Sequence, residues 1–254
     1  MIKLIDLLNE GVFDKGILKA VFLAGGPGSG KTYAARGLFG LPKKINLSYT
    51  GLKMVNYDSE FEKALNKFGF GTELDAMPDE VFADLTGFDK KTDQPVKGVH
   101  SGLRNYTKEL TKERQRLYEN GRLGMIIDGT GDDYAKIADN KSRLESIGYD
   151  CYMVFINTSM EIALDRNNKR KRVLPKKLVT DSWHACQKNI GRFQELFKGN
   201  IVVVDNSKHL EEDDAKKKFD SLAKTYIDKF VKKPTKNPKG KNWIRHQKIL
   251  KKRK

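Results

Sequence analysis

The segment Gly25–Thr32 has the residue types and the spacing of a phosphate-binding loop. It reads Gly-Gly-Pro-Gly-Ser-Gly-Lys-Thr and matches the pattern G-x-x-x-x-G-K-[ST]. Bare backbone N–H groups of such a loop surround a polyphosphate, and the positive end of the following helix dipole adds to the attraction. In this chemistry Lys31 bridges the β- and γ-phosphates and the Thr32 hydroxyl binds Mg²⁺. The predicted phosphate-binding residues are Gly26, Pro27, Gly28, Ser29, Gly30, Lys31 and Thr32.

The sequence around this loop predicts the elements that the motif requires. The apolar run Ala20–Ala24 predicts a buried strand before the loop, and Tyr33–Leu38 predicts a short helix after it. Four further strands are predicted, and stretches with helical patterning separate them: Lys53–Tyr57, Gly124–Ile127, Cys151–Ile156 and Ile201–Val204. This alternation predicts an α/β fold.

Two aspartates follow predicted strands. Asp58 comes after the second strand, and Ser59 with Glu62 forms a capping-box pattern, so a helix is predicted to start at Ser59. The carboxyl edge of an open α/β sheet is where ligands bind, so Asp58 is a candidate general base for a phosphoryl acceptor. The alternative is that Asp58 only helps to cap the helix. Asp128 ends the third strand and is the candidate Mg²⁺ ligand, and Thr130 is a candidate contact for the acceptor.

Basic residues mark two further candidate contacts. A cluster between Arg166 and Arg172, before Pro175, predicts a lid over about 165–176 that sets guanidinium groups against a transferring phosphoryl. The alternative is a solvated basic surface. Arg104 lies near the start of a helix predicted from Ser101 to Gly121, and it is a candidate contact for an anionic substrate or simply a solvated charge. On that helix an apolar face is predicted to pack on the sheet, formed by Leu103, Tyr106, Leu110 and Leu117.

The charge of the chain is concentrated at its end. The 254 residues carry a net charge of +16, and the segment 232–254 holds eleven Lys or Arg and no acid, which leaves +5 for the remainder. We therefore expect one domain over 1–231 and a basic tail over 232–254. Pro234, Pro238 and Gly240 disfavour a helix in the first half of the tail. The tail is either a disordered extension or an arm that binds polyanions such as nucleic acid.

Other features restrict the class of protein. The two cysteines, Cys151 and Cys186, fall in a predicted strand and a predicted helix, which argues against a zinc site or a disulfide framework and suits a reducing cytoplasm. No apolar run is long enough to predict a membrane span. The region from about 66 to 100 is irregular and rich in Gly and Pro. This region is predicted to be an insert that either contacts the acceptor or has only a structural role.

Taken together, the loop, Asp58, Asp128 and the Arg166-Asn167…Pro175 segment resemble the polynucleotide kinase and zeta-toxin group of P-loop kinases. The resemblance implies a five-stranded parallel sheet of order 2-3-1-4-5, with ATP and Mg²⁺ as donor and cofactor. It also implies that Asp58 deprotonates the acceptor hydroxyl. Polynucleotide kinases carry Arg-Asn-x-x-Arg before a proline, so Arg170 takes the role of the γ-phosphate arginine, helped by Arg166 or Arg172.

The loop after the last strand of such a sheet commonly passes the base of the nucleotide, which makes Asp205 and Asn206 candidates for an adenine site. The chain departs from the family at Gly129-Thr130-Gly131, where related kinases often have Asn-Thr-Asn, and this weakens the acceptor role of Thr130. An Asp-x-Asp-x-Thr phosphatase motif does not follow the kinase region, so a bifunctional end-repair enzyme is not expected.

These observations predict a cytoplasmic kinase that moves the γ-phosphoryl of ATP onto a hydroxyl of a nucleic acid, either a 5′-end or a modified base such as a hydroxymethylpyrimidine. The resemblance suits a phage protein that modifies DNA in the host cytoplasm. Two alternatives stay open. One is a small-molecule kinase acting on a nucleoside, nucleotide or nucleotide sugar, and the other is an ATP-driven nucleic-acid-binding switch.

Overall fold

The structure is a computed structural model that describes residues 12–14, 16–41, 47–71, 76–92, 94–96, 102–169, 173–174, 176–208 and 212–252. Five strands form one parallel sheet: β1 (Lys19–Ala24), β2 (Lys53–Val55), β3 (Met125–Asp128), β4 (Asp150–Asn157) and β5 (Ile201–Asp205). Their order is β2-β3-β1-β4-β5, which confirms the predicted topology. The central strand β1 is buried along its whole length. Continuous apolar runs are expected for parallel strands that are covered on both faces.

Ten α-helices and one π-helical segment are present in the described part of the chain: α1 (Lys31–Phe39), α2 (Tyr57–Lys67), α3 (Asp79–Thr86), α4 (Leu103–Asn120), α5 (Tyr134–Ser146), α6 (Met160–Asn168), α7 (Lys176–Phe197), α8 (Glu212–Leu222), the π-helix (Ala223–Asp228), α9 (Lys229–Lys232) and α10 (Pro238–Lys252). On one face of the sheet, Leu38 of α1 and Phe219 of α8 belong to a buried cluster. On the other face, Leu144 of α5 and Phe193 of α7 belong to a second cluster. The sheet is therefore the middle of three layers.

The start of α2 differs from the sequence prediction. The helix begins at Tyr57, and Asn56, not Ser59, is its N-cap, because the Asn56 side chain accepts the backbone N–H of Ser59 at 3.1 Å. Asp58 consequently lies in the first turn of the helix and not at the end of β2.

The predicted apolar face of α4 is wrong for three of its four residues. Tyr106 is 60% exposed, Leu117 is 67% exposed and Leu110 is also exposed, whereas Thr107 and Thr111 are buried. Both threonine hydroxyls donate to backbone carbonyls of their own helix, at 3.0 and 2.7 Å. Their polar groups are thus satisfied within α4, and the small side chains allow it to approach its neighbours closely. The cap expected at Ser101 lies outside the described residues, and Gly102 precedes the helix.

The described part of the 66–100 insert contributes α3 to a small separate core. Leu85 of α3 packs with Phe61 and Leu65 of α2, apart from the two clusters on the sheet. This places the insert beside α2, the helix that carries Asp58.

The basic tail is largely part of the fold. Residues 233–237 are not helical, as predicted for the segment around Pro234, but the prediction is wrong from Pro238, where α10 begins. Pro238 is the first residue of α10, a position that tolerates proline because its missing N–H would have no partner in the helix. Trp243 and Ile244 pack against the second cluster. The backbone of Gly240 lies so close to Gly148 that a Cβ atom there would be 2.3 Å from the Gly148 carbonyl oxygen. Segment 238–252 therefore contributes to the core.

Among the described residues, none of the helices combines the length and the apolar character that crossing a membrane requires.

Candidate active site

The predicted phosphate-binding loop connects β1 to α1, and we call Gly25–Thr32 the P-loop. Gly28 and Gly30 have φ angles of 74° and 85°, a region that glycine adopts without strain. The packing is as restrictive as the backbone, since a Cβ atom at Gly28 would lie 2.2 Å from the carbonyl oxygen of Ala163 in α6. The loop is thus seated against the helix that leads into the lid.

The polar groups of the P-loop fit a polyphosphate ligand. The Lys31 ammonium donates to the carbonyl oxygen of Gly25 and lies 3.4 Å from that of Gly26. The Ser29 hydroxyl oxygen is buried and has no hydrogen-bond partner among the described residues. Thr32, in the first turn of α1, is exposed. A lysine bound only to loop carbonyls and an unpaired hydroxyl are groups that an incoming phosphate can satisfy.

Asp128 is the last residue of β3 and lies beside the P-loop strand, in register with Leu23. Its Oδ2 accepts a 2.7 Å hydrogen bond from the Asn56 side-chain amide, whereas its Oδ1 is buried and has no partner in the described part of the chain. Burial is the main cause that raises the pKa of the Asp128 carboxyl to about 6. The positive charge of Lys31 lowers this pKa, and the negative charge of Asp58 raises it. An unpaired, buried carboxylate oxygen favours a nearby cation, so this atom fits a Mg²⁺ ligand.

Three of the predicted site residues, Lys31, Asp58 and Asp128, come from elements that meet at one edge of the sheet. Lys31 follows β1, Asp128 ends the neighbouring strand β3, and Asn56 joins Asp128 to the helix that carries Asp58, so the three residues lie at the carboxyl edge of the sheet. Asp58 itself is exposed there. In the described part of the chain, no group of three or more His, Cys, Asp or Glu side chains could hold a metal ion. Mg²⁺ commonly uses one or two protein ligands together with substrate phosphates, which agrees with a site made by Thr32 and Asp128.

Cationic side chains gather next to Asp58. The Nε of Arg104 donates to the Tyr57 hydroxyl at 2.7 Å, and the Arg104 guanidinium lies 4.9 Å from the centre of the Phe88 ring. Lys108, one turn further along α4, lies 5.6 Å from the centre of the Tyr57 ring. Burial lowers the pKa of Lys108, and the charges of Arg104 and Lys136 lower it further, while Asp58 opposes them.

This arrangement leaves positive charge beside the candidate base. Within the described part of the chain, Arg104, Lys108 and Lys136 form no ion pair, although Lys112 and Arg114 on the same helix do. The cluster of Arg104, Lys108 and Lys136, which we call the acceptor cations, is therefore available to an anionic ligand.

Arg166 lies in the last turn of α6 and contacts backbone oxygens. Its guanidinium donates to the carbonyl oxygens of Asn206 at 3.0 Å, Lys208 at 3.1 Å and Ser29 at 3.4 Å. Burial lowers its pKa from the usual value. Arg166 thus joins the P-loop to the loop after β5. Arg170, Arg172 and Pro175 lie outside the described residues.

Asn206 was predicted to contact adenine, and the structure places its side chain against the P-loop. Its side-chain amide donates to the Ser29 carbonyl oxygen at 2.8 Å. The backbone carbonyl oxygen of Asn206 accepts a hydrogen bond from the Thr158 hydroxyl at 3.2 Å. Asp205 is exposed, and its carboxylate accepts the backbone N–H of Ser207 at 3.0 Å. The Asn206 side chain therefore holds the backbone of the P-loop in place.

Thr130 lies in the loop after Asp128. Its carbonyl oxygen accepts the Gly25 N–H at 2.9 Å, and its hydroxyl donates to the Asp132 carboxylate, so both polar groups have partners within the site. The Asn189 side chain of α7 supports this loop through hydrogen bonds to the carbonyls of Gly131 and Asp132, at 3.1 and 2.9 Å.

Three asparagines hold the site together and were not identified from the sequence as functional residues. Asn56 joins α2 to Asp128, and Asn189 fixes the loop after β3. Asn167 is buried, and its amide both donates to the Leu174 carbonyl at 2.8 Å and accepts the Leu174 N–H at 3.1 Å. This pair of bonds joins Asn167 to Leu174, two described residues of the segment predicted to be a lid. The Arg-Asn pair of the lid motif was a signal for Asn167, but a strand-end asparagine such as Asn56 carries no comparable signature.

Comparison with known proteins supports the fold. No family model matches the sequence, and no curated protein matches it by sequence. The structure of AvrRxo1-ORF1 in complex with AvrRxo1-ORF2 is similar with a TM-score of 0.50 and 14% identity, over 90% of this chain and 76% of that one. Shikimate kinase from Bacteroides thetaiotaomicron matches with a TM-score of 0.45 and 14% identity, over 83% and 98% of the two chains.

A chain of the Pnkp1/Rnl/Hen1 RNA repair complex matches with a TM-score of 0.46 and 16% identity, over 70% of this chain and 46% of that one. The strand order, the P-loop after β1 and the similarity to the AvrRxo1 structure together identify a P-loop α/β fold with a five-stranded parallel sheet.

Proposed function

We propose that the protein is an ATP-dependent kinase that phosphorylates a hydroxyl group of a nucleic acid, at a 5′-end or on a modified base. The observation that carries the proposal is the buried Oδ1 of Asp128, which has no partner among the described residues. Asp128 lies on the strand beside the one that leads into the P-loop with Lys31, and Asn56 joins it to the helix that carries Asp58. Lys31, Asp128 and Asp58 meet the separate needs of phosphoryl transfer, namely a phosphate-binding cation, a metal ligand and a base for the acceptor.

The chain's own residues divide the work as follows. The P-loop amides and Lys31 hold the phosphates, and Thr32 and Asp128 hold Mg²⁺. When bound, ATP with Mg²⁺ supplies the transferable phosphoryl group and neutralises part of its charge. Asp58 is exposed on the first turn of α2 and accepts the proton of the acceptor hydroxyl.

The arginines have different roles in this proposal. Arg166 donates to three backbone carbonyls and thereby fixes the position of the P-loop relative to the loop after β5. Arg170, with Arg172, is the guanidinium that stabilises charge on the transferring phosphoryl. A bidentate, permanently charged group suits that task.

The acceptor cations favour a polyanionic acceptor. The charges of Arg104, Lys136 and Asp58 all act on Lys108, and the three cations form no ion pair among the described residues, so a phosphodiester backbone would neutralise them. The rings of Tyr57 and Phe88 hold the Arg104 guanidinium, whose carbon lies 5.9 and 4.9 Å from their centres.

The test is phosphoryl transfer from radiolabelled ATP to DNA and RNA oligonucleotides, nucleosides and sugar nucleotides offered in parallel. We expect label in oligonucleotides, and label confined to small molecules would refute the nucleic-acid acceptor. Asp58→Asn should lower turnover by about 10²- to 10⁴-fold while ATP affinity stays within about twofold.

Asp79→Asn is the matched control, because Asp79 also lies exposed in the first turn of a helix, α3. It should leave turnover unchanged. If Asp58→Asn retains full turnover and nucleic acid only stimulates ATP hydrolysis, the protein is an ATP-driven switch and not a kinase.

The basic tail is not suited to a deletion test. Removing 232–254 would uncover the core around Trp243 and Ile244, so loss of activity would report unfolding. Charge substitutions that leave the helix in place are the appropriate experiment.

A further inference from the structure

A second cavity lies at the amino edge of the sheet, opposite the P-loop. It has a volume of about 500 Å³ and is bordered by the first residues of β1, β4 and β5 and by the chain from Thr225 to Asn237. β1 has six residues, and at about 3.3 Å per residue this cavity and the P-loop are roughly 20 Å apart. We call it the amino-edge groove. Its volume is in the range of ligand-binding cavities.

The groove carries uncompensated positive charge. Lys229, Lys233 and Lys236 line it, are exposed, and form no ion pair with any described residue. The acids beside them are already engaged. Asp150 accepts hydrogen bonds from Lys19 Nζ at 2.8 Å and from the backbone N–H groups of Lys236 and Asn237, at 2.8 and 2.9 Å. Glu145 pairs with Lys141 at 2.7 Å.

Aromatic surface lies next to these lysines. Tyr226 lines the groove and is 37% exposed, and Phe230 forms part of the groove wall with the Lys19 ammonium 5.0 Å from its ring centre. Tyr226 belongs to the π-helical segment Ala223–Asp228. Departures of this kind from α-helical geometry are rare and frequently occur at functional sites.

The positive charge also continues beyond the cavity. Lys239 and Lys241 are exposed at the start of α10, and no acid occurs from Lys229 to the end of the chain. A single nucleotide would use only the cavity, whereas a polymer of phosphates can follow the charge along the edge of the fold.

We propose that the amino-edge groove binds single-stranded nucleic acid, with Lys229, Lys233 and Lys236 on the phosphates and Tyr226 stacked on a base. Cations that follow a backbone beside an aromatic platform are the usual means of holding single strands. The choice of ligand rests on the proposed function and deepens it. The groove would anchor a long acceptor at a distance from the catalytic edge.

The test is fluorescence anisotropy without ATP, using a labelled single-stranded oligonucleotide of about 16 nucleotides. The variant Lys229→Glu/Lys233→Glu/Lys236→Glu should bind the oligonucleotide at least about tenfold more weakly. The logarithm of the association constant falls with the logarithm of the salt concentration, and the magnitude of this slope should be smaller by about 2 in the variant. A control variant with the same charge change, Lys67→Glu/Lys188→Glu/Lys216→Glu, alters exposed lysines outside the groove and should stay within about threefold of the wild type.

Tyr226 separates stacking from charge. Tyr226→Ala should weaken binding severalfold with the salt slope unchanged, and Tyr226→Phe should restore it. Thermal unfolding checks that each variant is folded. Equal weakening by both triple variants, or tighter binding of a duplex of the same length, would overturn the proposal.

Binding in the groove and phosphoryl transfer can fail independently. If the protein transfers no phosphate, anisotropy still reports the groove. If it is a kinase, the groove triple variant should raise KM for the oligonucleotide and leave transfer to a mononucleotide unchanged. Unchanged oligonucleotide affinity in that variant would refute the groove and leave the kinase proposal intact.

Discussion

The side-chain amide of Asn56 donates a hydrogen bond of 2.7 Å to Oδ2 of Asp128. The same side chain accepts the backbone N–H of Ser59 and caps α2. One residue therefore fixes the helix that carries Asp58 relative to the strand that carries Asp128. The separation between the candidate base and the candidate metal ligand depends on this contact.

Substitution of Asn56 should affect stability and turnover separately. Asn56→Ala removes both the cap and the bond to Asp128, so we expect about 1 kcal/mol lower unfolding free energy and at least about tenfold lower turnover. Asn56→Ser keeps a capping oxygen but cannot reach Asp128, so stability should recover while turnover stays low. Denaturant unfolding and steady-state kinetics measure the two effects. Recovery of turnover in Asn56→Ser would show that the contact with Asp128 does not position the site.

The sequence was sufficient for the sheet and for the residues that touch it directly. The P-loop and Asp128 follow from apolar runs ending in polar residues, because strand ends in a parallel sheet meet at one edge. The strand order came from the resemblance to P-loop kinases, and the structure confirms it. The sequence was not sufficient to predict the contacts between helices. On α4, Tyr106, Leu110 and Leu117 are exposed whereas Thr107 and Thr111 are buried, and the spacing of apolar residues does not predict this choice of face.

The tail shows the same limit of local patterns. Its charge predicts solvation, but the fold of segment 238–252 depends on Gly240 meeting Gly148 and on Trp243 reaching the core. These contacts join residues that are distant in sequence, and composition carries no information about them.

Arg104 should contribute to acceptor affinity and not to the chemical step. Arg104→Gln removes a charge beside Asp58, and we expect KM for an oligonucleotide to rise by about tenfold with kcat within about twofold. Tyr57→Phe is the control, because it removes the hydroxyl that accepts from Arg104 but keeps the ring beneath Lys108. It should have a smaller effect on KM. A change in KM for ATP with Arg104→Gln would argue against an acceptor role.

Gly28 should tolerate no side chain. In Gly28→Ala the new methyl group would collide with the Ala163 carbonyl oxygen, and the φ of 74° adds strain. We expect about 2–4 kcal/mol lower unfolding free energy and loss of ATP binding, measured by denaturant unfolding and calorimetry. Gly129→Ala is the matched control in the other loop of the site, since no atom lies within 4 Å of the position of its Cβ. Equal stability of the two variants would contradict the close packing of the P-loop on α6.

Glu60 links the helix that carries Asp58 to the helix that carries Arg104. It lies on α2, and its carboxylate accepts from Arg114 of α4 at 2.7 Å and from Lys63 at 3.0 Å. Burial alone would raise the pKa of Glu60, but the hydrogen bonds from Arg114 and Lys63 outweigh it and hold the pKa below its usual value. The carboxylate is therefore favoured in the folded protein, and its contribution to stability depends on pH.

Glu60→Gln should lower the unfolding free energy by about 1–3 kcal/mol at pH 7, because it removes the charge that pairs with Arg114. The folded-state pKa is below the unfolded one, so this contribution is complete above the unfolded pKa and is lost as pH falls through the folded pKa. The difference between wild type and variant should thus be constant from pH 6 to 8 and shrink below about pH 4. Glu113→Gln, which breaks an exposed pair with Arg116 on α4, should cost under about 0.5 kcal/mol. Urea unfolding across this pH range measures both, and a difference that grows in acid would reverse the sign of the assigned pKa shift.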